Sequence, residues 1–157
     1  MKKYKIRYVV GNENEYDRIK NILNIGKHPS FIGRDTVRSN AANGGLLFMQ
    51  CDNEDIGVAL VNPSKNNLLV LNILPHYRGQ GFGKIFLDYL KPNFARVIET
   101  KKKWFQANGY IAIGKPKKGI RYETYIMLRR SLREHFLKSV QDDKKVKYLL
   151  QKQARGA

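Results

Sequence analysis

Leu71-Asn72-Ile73-Leu74-Pro75-His76-Tyr77 runs straight into Arg78-Gly79-Gln80-Gly81-Phe82-Gly83-Lys84. The first half reads as the end of a strand and the second as a glycine-rich turn. A helix follows, with Ile85, Phe86, Leu87, Tyr89 and Leu90 at helical spacing and Pro92 as its stop. Glycines let the backbone adopt positive φ and come close to a ligand. The N–H groups at a helix start then face an anion, aided by the helix dipole. Arg78 adds a positive charge beside them. This combination reads as a cradle for a pyrophosphate.

Two better-known cradles do not fit. A Walker loop needs Gly-Lys followed by Ser or Thr, and Gly83-Lys84 is followed by Ile85. A dinucleotide fingerprint needs Gly-x-Gly-x-x-Gly early in a parallel unit, whereas Gly79, Gly81 and Gly83 alternate at mid-chain.

Upstream, residues 5–10 alternate as an opening strand, and Asn12 or Asn14 is placed to cap a helix reaching about Asn24, where Gly26 stops it. Residues 28–44 have no clear period and read mostly as loop, with room for a short helix. Strand-like runs follow at 46–51, 56–61 and 68–74, joined by short polar turns that imply antiparallel hairpins. Downstream, 94–98 reads as a strand and 100–108 as a helix ended by Gly109. Residues 110–113 and 122–128 read as the last strands, and 130 to about 152 as a basic helical extension. The expected fold class is α+β with a largely antiparallel sheet. The expected division is a domain over 1–129 and an extension over 130–157.

The chain has 157 residues, 42% hydrophobic and 27% charged, which suits one domain with a real core. No apolar run approaches the ~20 residues of a membrane span, and no apolar segment follows the basic start to form a signal peptide. The single cysteine, Cys51, reads as a small buried hydrophobe in a reducing, cytoplasmic setting. One Cys and three scattered His, at 28, 76 and 135, give no metal-ligand spacing. The oligomeric state, a dimer included, is open.

Arg-x-x-Gly-x-Gly after a strand and a Pro-x-Tyr segment resembles motif A of the GNAT N-acetyltransferases. Trp104-Phe105-Gln106-Ala107-Asn108-Gly109-Tyr110 resembles that family's Phe-Tyr-x-x-x-Gly-Phe helix end. The resemblance spans about residues 4–129. It implies acetyl-CoA as acyl donor, with the amides of residues 79–84 (Gly79, Gln80, Gly81, Phe82, Gly83, Lys84) on its pyrophosphate. It also implies that Arg78 and Gln80 flank that group, that Phe105 lies against the cofactor, and that a backbone N–H at Ile73 or Leu74 meets the thioester carbonyl.

Acyl transfer to an amine needs a neutral nitrogen, a polarised carbonyl and a proton for the leaving thiolate. The family's usual acid is a tyrosine, and this chain has Phe105 there. Tyr110 matches a packing position, while Tyr122 and Tyr125 on the next strand offer hydroxyls. For the base, the strand before the cradle offers only Asn72, which cannot take up a proton. Glu99 ends the strand after the cradle helix, and His28 precedes Pro29-Ser30-Phe31 where such enzymes build the acceptor site. His76 borders the cradle.

Thirty Lys and Arg against thirteen Asp and Glu give +17. Residues 101–121 carry seven cations and no acid, and more cations follow from Arg129 onward and at Arg34 and Arg38. Such a field attracts polyanions and repels cationic acceptors such as polyamines. Three functions remain in view. One is acyl transfer to an amine on a nucleic acid (aminoacyl-tRNA or a DNA or RNA base). The second is acyl transfer to a small amine or protein N-terminus. The third is nucleic-acid binding by a GNAT-like protein that has lost catalysis.

Overall fold

The computed structural model describes residues 5–23, 33–118 and 123–133. Strand β1 (Ile6–Val10) is followed by helices α1 (Tyr16–Leu23) and α2 (Arg34–Ala42). Strands β2 (Leu46–Cys51), β3 (Glu54–Asn62) and β4 (Asn67–Ile73) come next, then α3 (Phe82–Leu90), β5 (Phe94–Ile98), α4 (Glu99–Ala107), β6 (Tyr110–Lys118) and β7 (Glu123–Arg129). The described strands form one sheet in the order β1-β2-β3-β4-β5-β7-β6. Every neighbouring pair is antiparallel except β4 and β5. A parallel pair needs a crossover, and α3 supplies it.

Alternation along the strands divides the core into two layers. Met49, Ile56, Ala59, Ile73, Ala95, Val97 and Met127 face α3 and α4, where Phe82, Phe86, Leu87 and Phe105 meet them. Phe48, Val58, Leu60 and Val70 face the other way, onto Ile19 and Ile22 of α1 and Val37 and Ala41 of α2. Cys51 is buried in the first layer, and burial, then Asp52 and Glu54, push its thiol above the ordinary range. Tyr110 is also core, as expected. Its hydroxyl donates to the Pro92 carbonyl at 2.7 Å, and burial pushes its pKa up to about 12.

The hairpin strands lie where alternation put them. Asp52 and Asn53 turn the β2–β3 hairpin with φ of 50° and 71°, values that short Asx side chains tolerate. Three expectations change. The stretch read mostly as loop contains α2, whose sequence RDTVRSNAA buries only Val37, Asn40 and Ala41 and so shows little apolar period. Glu15, not Asn12 or Asn14, precedes α1 as its cap residue, its carbonyl accepting from Ile19 N–H at 3.2 Å. Its carboxylate also accepts from Asn12 N–H at 2.9 Å. Finally, β6 continues from Ile113 to Lys118 through Gly114 and Pro116. It is one of the sheet's two edge strands, where proline and lysines are tolerated, and its register with β7 steps between Ile113 and Lys117. Of the basic extension, Arg130–Leu132 forms a 3₁₀ turn, and residues 134–157 lie outside the described residues.

Arg18 clamps α1 to the sheet. Its guanidinium donates to Asp55 at 2.6 and 2.7 Å and to Glu15 at 3.1 Å, and lies 3.9 Å over the Phe48 ring. The Arg18 hydrogen bonds, helped by Gln50, outweigh burial and hold the Asp55 carboxyl below the usual carboxylate range. A depressed carboxyl pKa stabilises the fold above the unfolded pKa of about 4, and that stability is lost as pH falls through the folded value. Asp55→Asn is therefore expected to cost roughly 2 kcal/mol at pH 7. It should also flatten the acid limb of a stability-versus-pH curve measured by urea titration below about pH 5. An unchanged acid limb would show that the clamp is not what acid breaks.

Candidate active site

Strands β4 and β5 pair only at Asn67–Phe94 and Leu68–Ala95, at their N-terminal ends. Beyond that the two strands diverge. The β3–β4 ladder steps from Leu60–Val70 to Val61–Leu68, so Leu69 is an extra residue on β4. A bulge of this kind bends its strand. The wedge holds a cleft of about 390 Å³. Its walls are β4, Arg96 to Ile98 of β5, and Thr100, Lys101, Trp104 and Phe105 of α4, and its mouth is the glycine turn. Parallel strands place their ligands beyond the carboxyl ends in this way.

At the mouth, Gly79 and Gly81 have φ of 77° and 87°, the left-handed region that favours glycine. A Cβ on either would meet nothing within 4 Å, so the backbone there borders open space. Gly81 precedes α3 with no side-chain cap, and the helix's first hydrogen bond runs from Ile85 N–H to Gly81 C=O at 3.1 Å. The opening N–H groups thus point along the axis toward the cleft mouth. Gly83 answers a different need, since its Cβ would lie 3.3 Å from the Trp104 ring. Lys84 is exposed on the first turn and lines the cleft.

Arg78 does not reach freely over the turn. Its Nε donates to the Ile73 carbonyl at 2.8 Å and its Nη2 to Asn72 Oδ1 at 3.2 Å. Asn72 is buried and donates in turn to the Ile22 carbonyl of α1 at 3.0 Å. Arg78 thus ties the glycine turn to the end of β4 and, through Asn72, to α1. Gln80 Nε2 donates to the His76 carbonyl at 3.4 Å.

The ladder settles which amide faces the cleft. Leu74 N–H donates to Ile56 C=O at 2.8 Å, so it is spent on β3. Residues alternate along a ladder, so Ile73 directs its backbone groups the other way. The Arg78 bond to the Ile73 carbonyl confirms that direction. Ile73, not Leu74, therefore presents an N–H to the opening.

Comparison with solved structures finds the same architecture. Arabidopsis thaliana Naa50, in complex with the bisubstrate analogue CoA-Ac-MVNAL, superposes with a TM-score of 0.59 at 17% identity, over 78% of this chain and 96% of that one. A GNAT-family acetyltransferase from Bacillus cereus gives 0.56 at 20% identity, over 78% and 95%. Diaminobutyrate acetyltransferase from Paenibacillus lautus, in complex with its substrate and coenzyme A, gives 0.56 at 10% identity, over 82% and 97%. The chain has the GNAT fold. No protein-family model and no curated protein sequence matches it.

Within that GNAT frame the expected catalytic side chains are scattered. Phe105 lines the cleft and is buried, edge-on to Trp104 and Tyr110 at 5.0 and 5.7 Å, with no proton to give. Glu99 is exposed at the start of α4, and its interaction with the Tyr125 hydroxyl, ahead of burial, raises the Tyr125 pKa. Glu99 does not line the cleft, although Ile98 and Thr100 on either side do. At that corner its side chain lies toward β7. His28 and Tyr122 lie outside the described residues. Tyr77, which the sequence offered only as part of a motif, lines the cleft and donates to Glu54 at 3.3 Å. Its position one residue before Arg78 was the signal for it.

Charge sorts what remains. Arg78, Lys84, Arg96 and Lys101 line the cleft, and among the described residues no carboxylate or histidine does.

Proposed function

We propose that the protein transfers an acetyl group from acetyl-CoA to an amine carried on a nucleic acid, an aminoacyl-tRNA or a DNA or RNA base. The observation that carries this reading is a cleft lining with more cations than the donor's pyrophosphate needs and with no carboxylate or histidine among the described residues. The glycine turn and α3 start suit the donor's pyrophosphate. The Ile73 amide suits the thioester oxygen, where negative charge develops as the amine attacks. The nitrogen forms its bond to the acyl carbon, the carbon–sulfur bond breaks, and the thiolate takes the proton that the nitrogen sheds.

The lining also selects the amine. Cations disfavour an ammonium, and no described group in the cleft is a ready proton acceptor, so the amine must arrive neutral. A lysine-like amine of pKa about 10.4 is neutral in roughly one molecule per thousand at pH 7.4, a handicap of ~4 kcal/mol. An α-amine near 7.8 is neutral in roughly a quarter of molecules. An aromatic base amine carries no charge at all. Polyamines and lysine side chains are thus poor acceptors, and the +17 charge favours those acceptors that come attached to phosphates.

A second reading, transfer to a protein N-terminus or small amine, draws support from the peptide-bearing and diaminobutyrate-bound neighbours. Mass spectrometry of total nucleic acid and total protein, from cells with and without the protein, separates the two. The expected result is an acetyl-mass adduct on nucleic acid. Adducts on protein N-termini alone would establish the second reading. Calorimetry with acetyl-CoA tests the donor, and absence of binding would leave only a non-catalytic nucleic-acid binder.

A further inference from the structure

We infer that Arg96 is the acceptor's phosphate anchor, placed on the face of the sheet opposite the cradle's helices. This rests on the nucleic-acid reading above and adds to it a residue and an approach side. Ala95 and Val97 are buried in the layer under α3 and α4, so Arg96 between them projects from the other face. That face carries α1 and α2 over β2 to β4, with Arg34 and Arg38 exposed on α2. Arg96 is exposed, yet it lines the same cleft as the glycine turn.

The other lining cations belong to the donor side. Arg78 is tied to the end of β4, while Lys84 and Lys101 sit on α3 and α4. A pyrophosphate at the turn accounts for Lys84 and Lys101, Arg78 is spent on Ile73 and Asn72, and Arg96 is left without a task. Its Nε donates to Thr124 Oγ1 at 3.2 Å, and no ion pair among the described residues involves it. Thr124 on β7 thereby fixes the guanidinium plane while the two terminal nitrogens stay available. A guanidinium held at Nε presents a fork that matches two phosphate oxygens. An acceptor amine entering between β4 and β5 from this face, with a flanking phosphate on Arg96, approaches the acyl group from the side opposite the donor's helices.

The test is binding of a single-stranded DNA oligonucleotide and of a tRNA, by fluorescence anisotropy from ~50 to ~300 mM salt. Arg96→Gln is compared with Lys65→Gln, the same charge change on the exposed β3–β4 turn. Arg96→Gln is expected to weaken the bound probe about five- to tenfold at ~100 mM salt and to lower the salt slope by about one. Lys65→Gln should shift binding no more than about twofold, since it makes no phosphate contact. Arg96→Lys should keep the slope but recover only part of the affinity, and acetyl-CoA affinity should stay unchanged in all three. The probe that shows the difference identifies DNA or RNA as the phosphate source. Equal losses for Arg96→Gln and Lys65→Gln, or a weakened acetyl-CoA complex in Arg96→Gln, would overturn the anchor alone. Failure of the unmutated protein to bind either probe at ~50 mM salt would overturn the nucleic-acid reading, and the anchor with it.

Discussion

Gly81→Val is expected to weaken acetyl-CoA binding by about 100-fold or more while leaving the protein folded. Two features of Gly81 lead there. Its φ of 87° disfavours any side chain, and a β-branched one most, at a cost of about 1–2 kcal/mol. A Cβ there meets nothing within 4 Å, so the first atom of the added side chain enters open space. The space it fills is the approach to the α3 amides. Losing charge-assisted hydrogen bonds there, at about 1.5–3 kcal/mol each, accounts for the hundredfold. For a domain of this size the strain lowers the melting temperature by roughly 2–8 °C. Calorimetry gives the affinity and a thermal melt gives the stability. Affinity equal to that of the unmutated protein would remove the turn from the donor site, whatever the melt shows. Gly83→Ala is the informative contrast. Its Cβ lies 3.3 Å from Trp104, so any effect comes through displacement of that ring at the cleft wall.

The glycine turn was legible because its function depends on residue type. Only glycine supplies positive φ without strain, so Gly79 and Gly81 announce their backbone in the sequence. The strands were legible for a similar reason. Residues 46–51 and 94–98 alternate or run apolar between turn residues, and β2 and β5 occupy those positions. What depends on register was not legible. Whether Ile73 or Leu74 faces the opening is a matter of parity, and a one-residue step in pairing would exchange them. That parity comes from the β3–β4 ladder, which no local pattern near residue 73 reveals. The same holds for Arg78. As a charge beside a phosphate cradle it looked like a ligand group, but its length lets it fold back onto Ile73 and Asn72. The cation-lined cleft is likewise a product of topology, since Arg78, Lys84, Arg96 and Lys101 are spread over 24 positions and converge only because β4 and β5 part.

Gly44 and Gly45 show the same division between what residue type encodes and what packing imposes, and they yield the largest expected loss of stability. Gly44 has φ of 81° and open space around its Cβ position, so Gly44→Ala should cost about 1–2 kcal/mol, the ordinary penalty of left-handed backbone. At Gly45 a Cβ would fall 2.0 Å from the Val61 carbonyl oxygen and 2.9 Å from that of Asn40. Neither atom is the free end of a side chain. Gly45 N–H donates to Asn40 C=O at 2.8 Å, and Val61 N–H donates to Gly45 C=O at 2.7 Å, so both clashing backbones are held by the residue itself. Relieving the clash means pulling the end of α2 away from β3. Gly45→Ala is therefore expected to cost about 4 kcal/mol or more, a drop of roughly 8–16 °C in melting temperature. On the nucleic-acid reading proposed above, α2 carries Arg34 and Arg38 on the same face as Arg96, so the variant should also lose affinity for a nucleic-acid probe at temperatures where it remains folded. Chemical denaturation of the two variants side by side decides the matter. A loss at Gly44 equal to or larger than that at Gly45 would mean that α2 does not seat against β3 through this backbone contact.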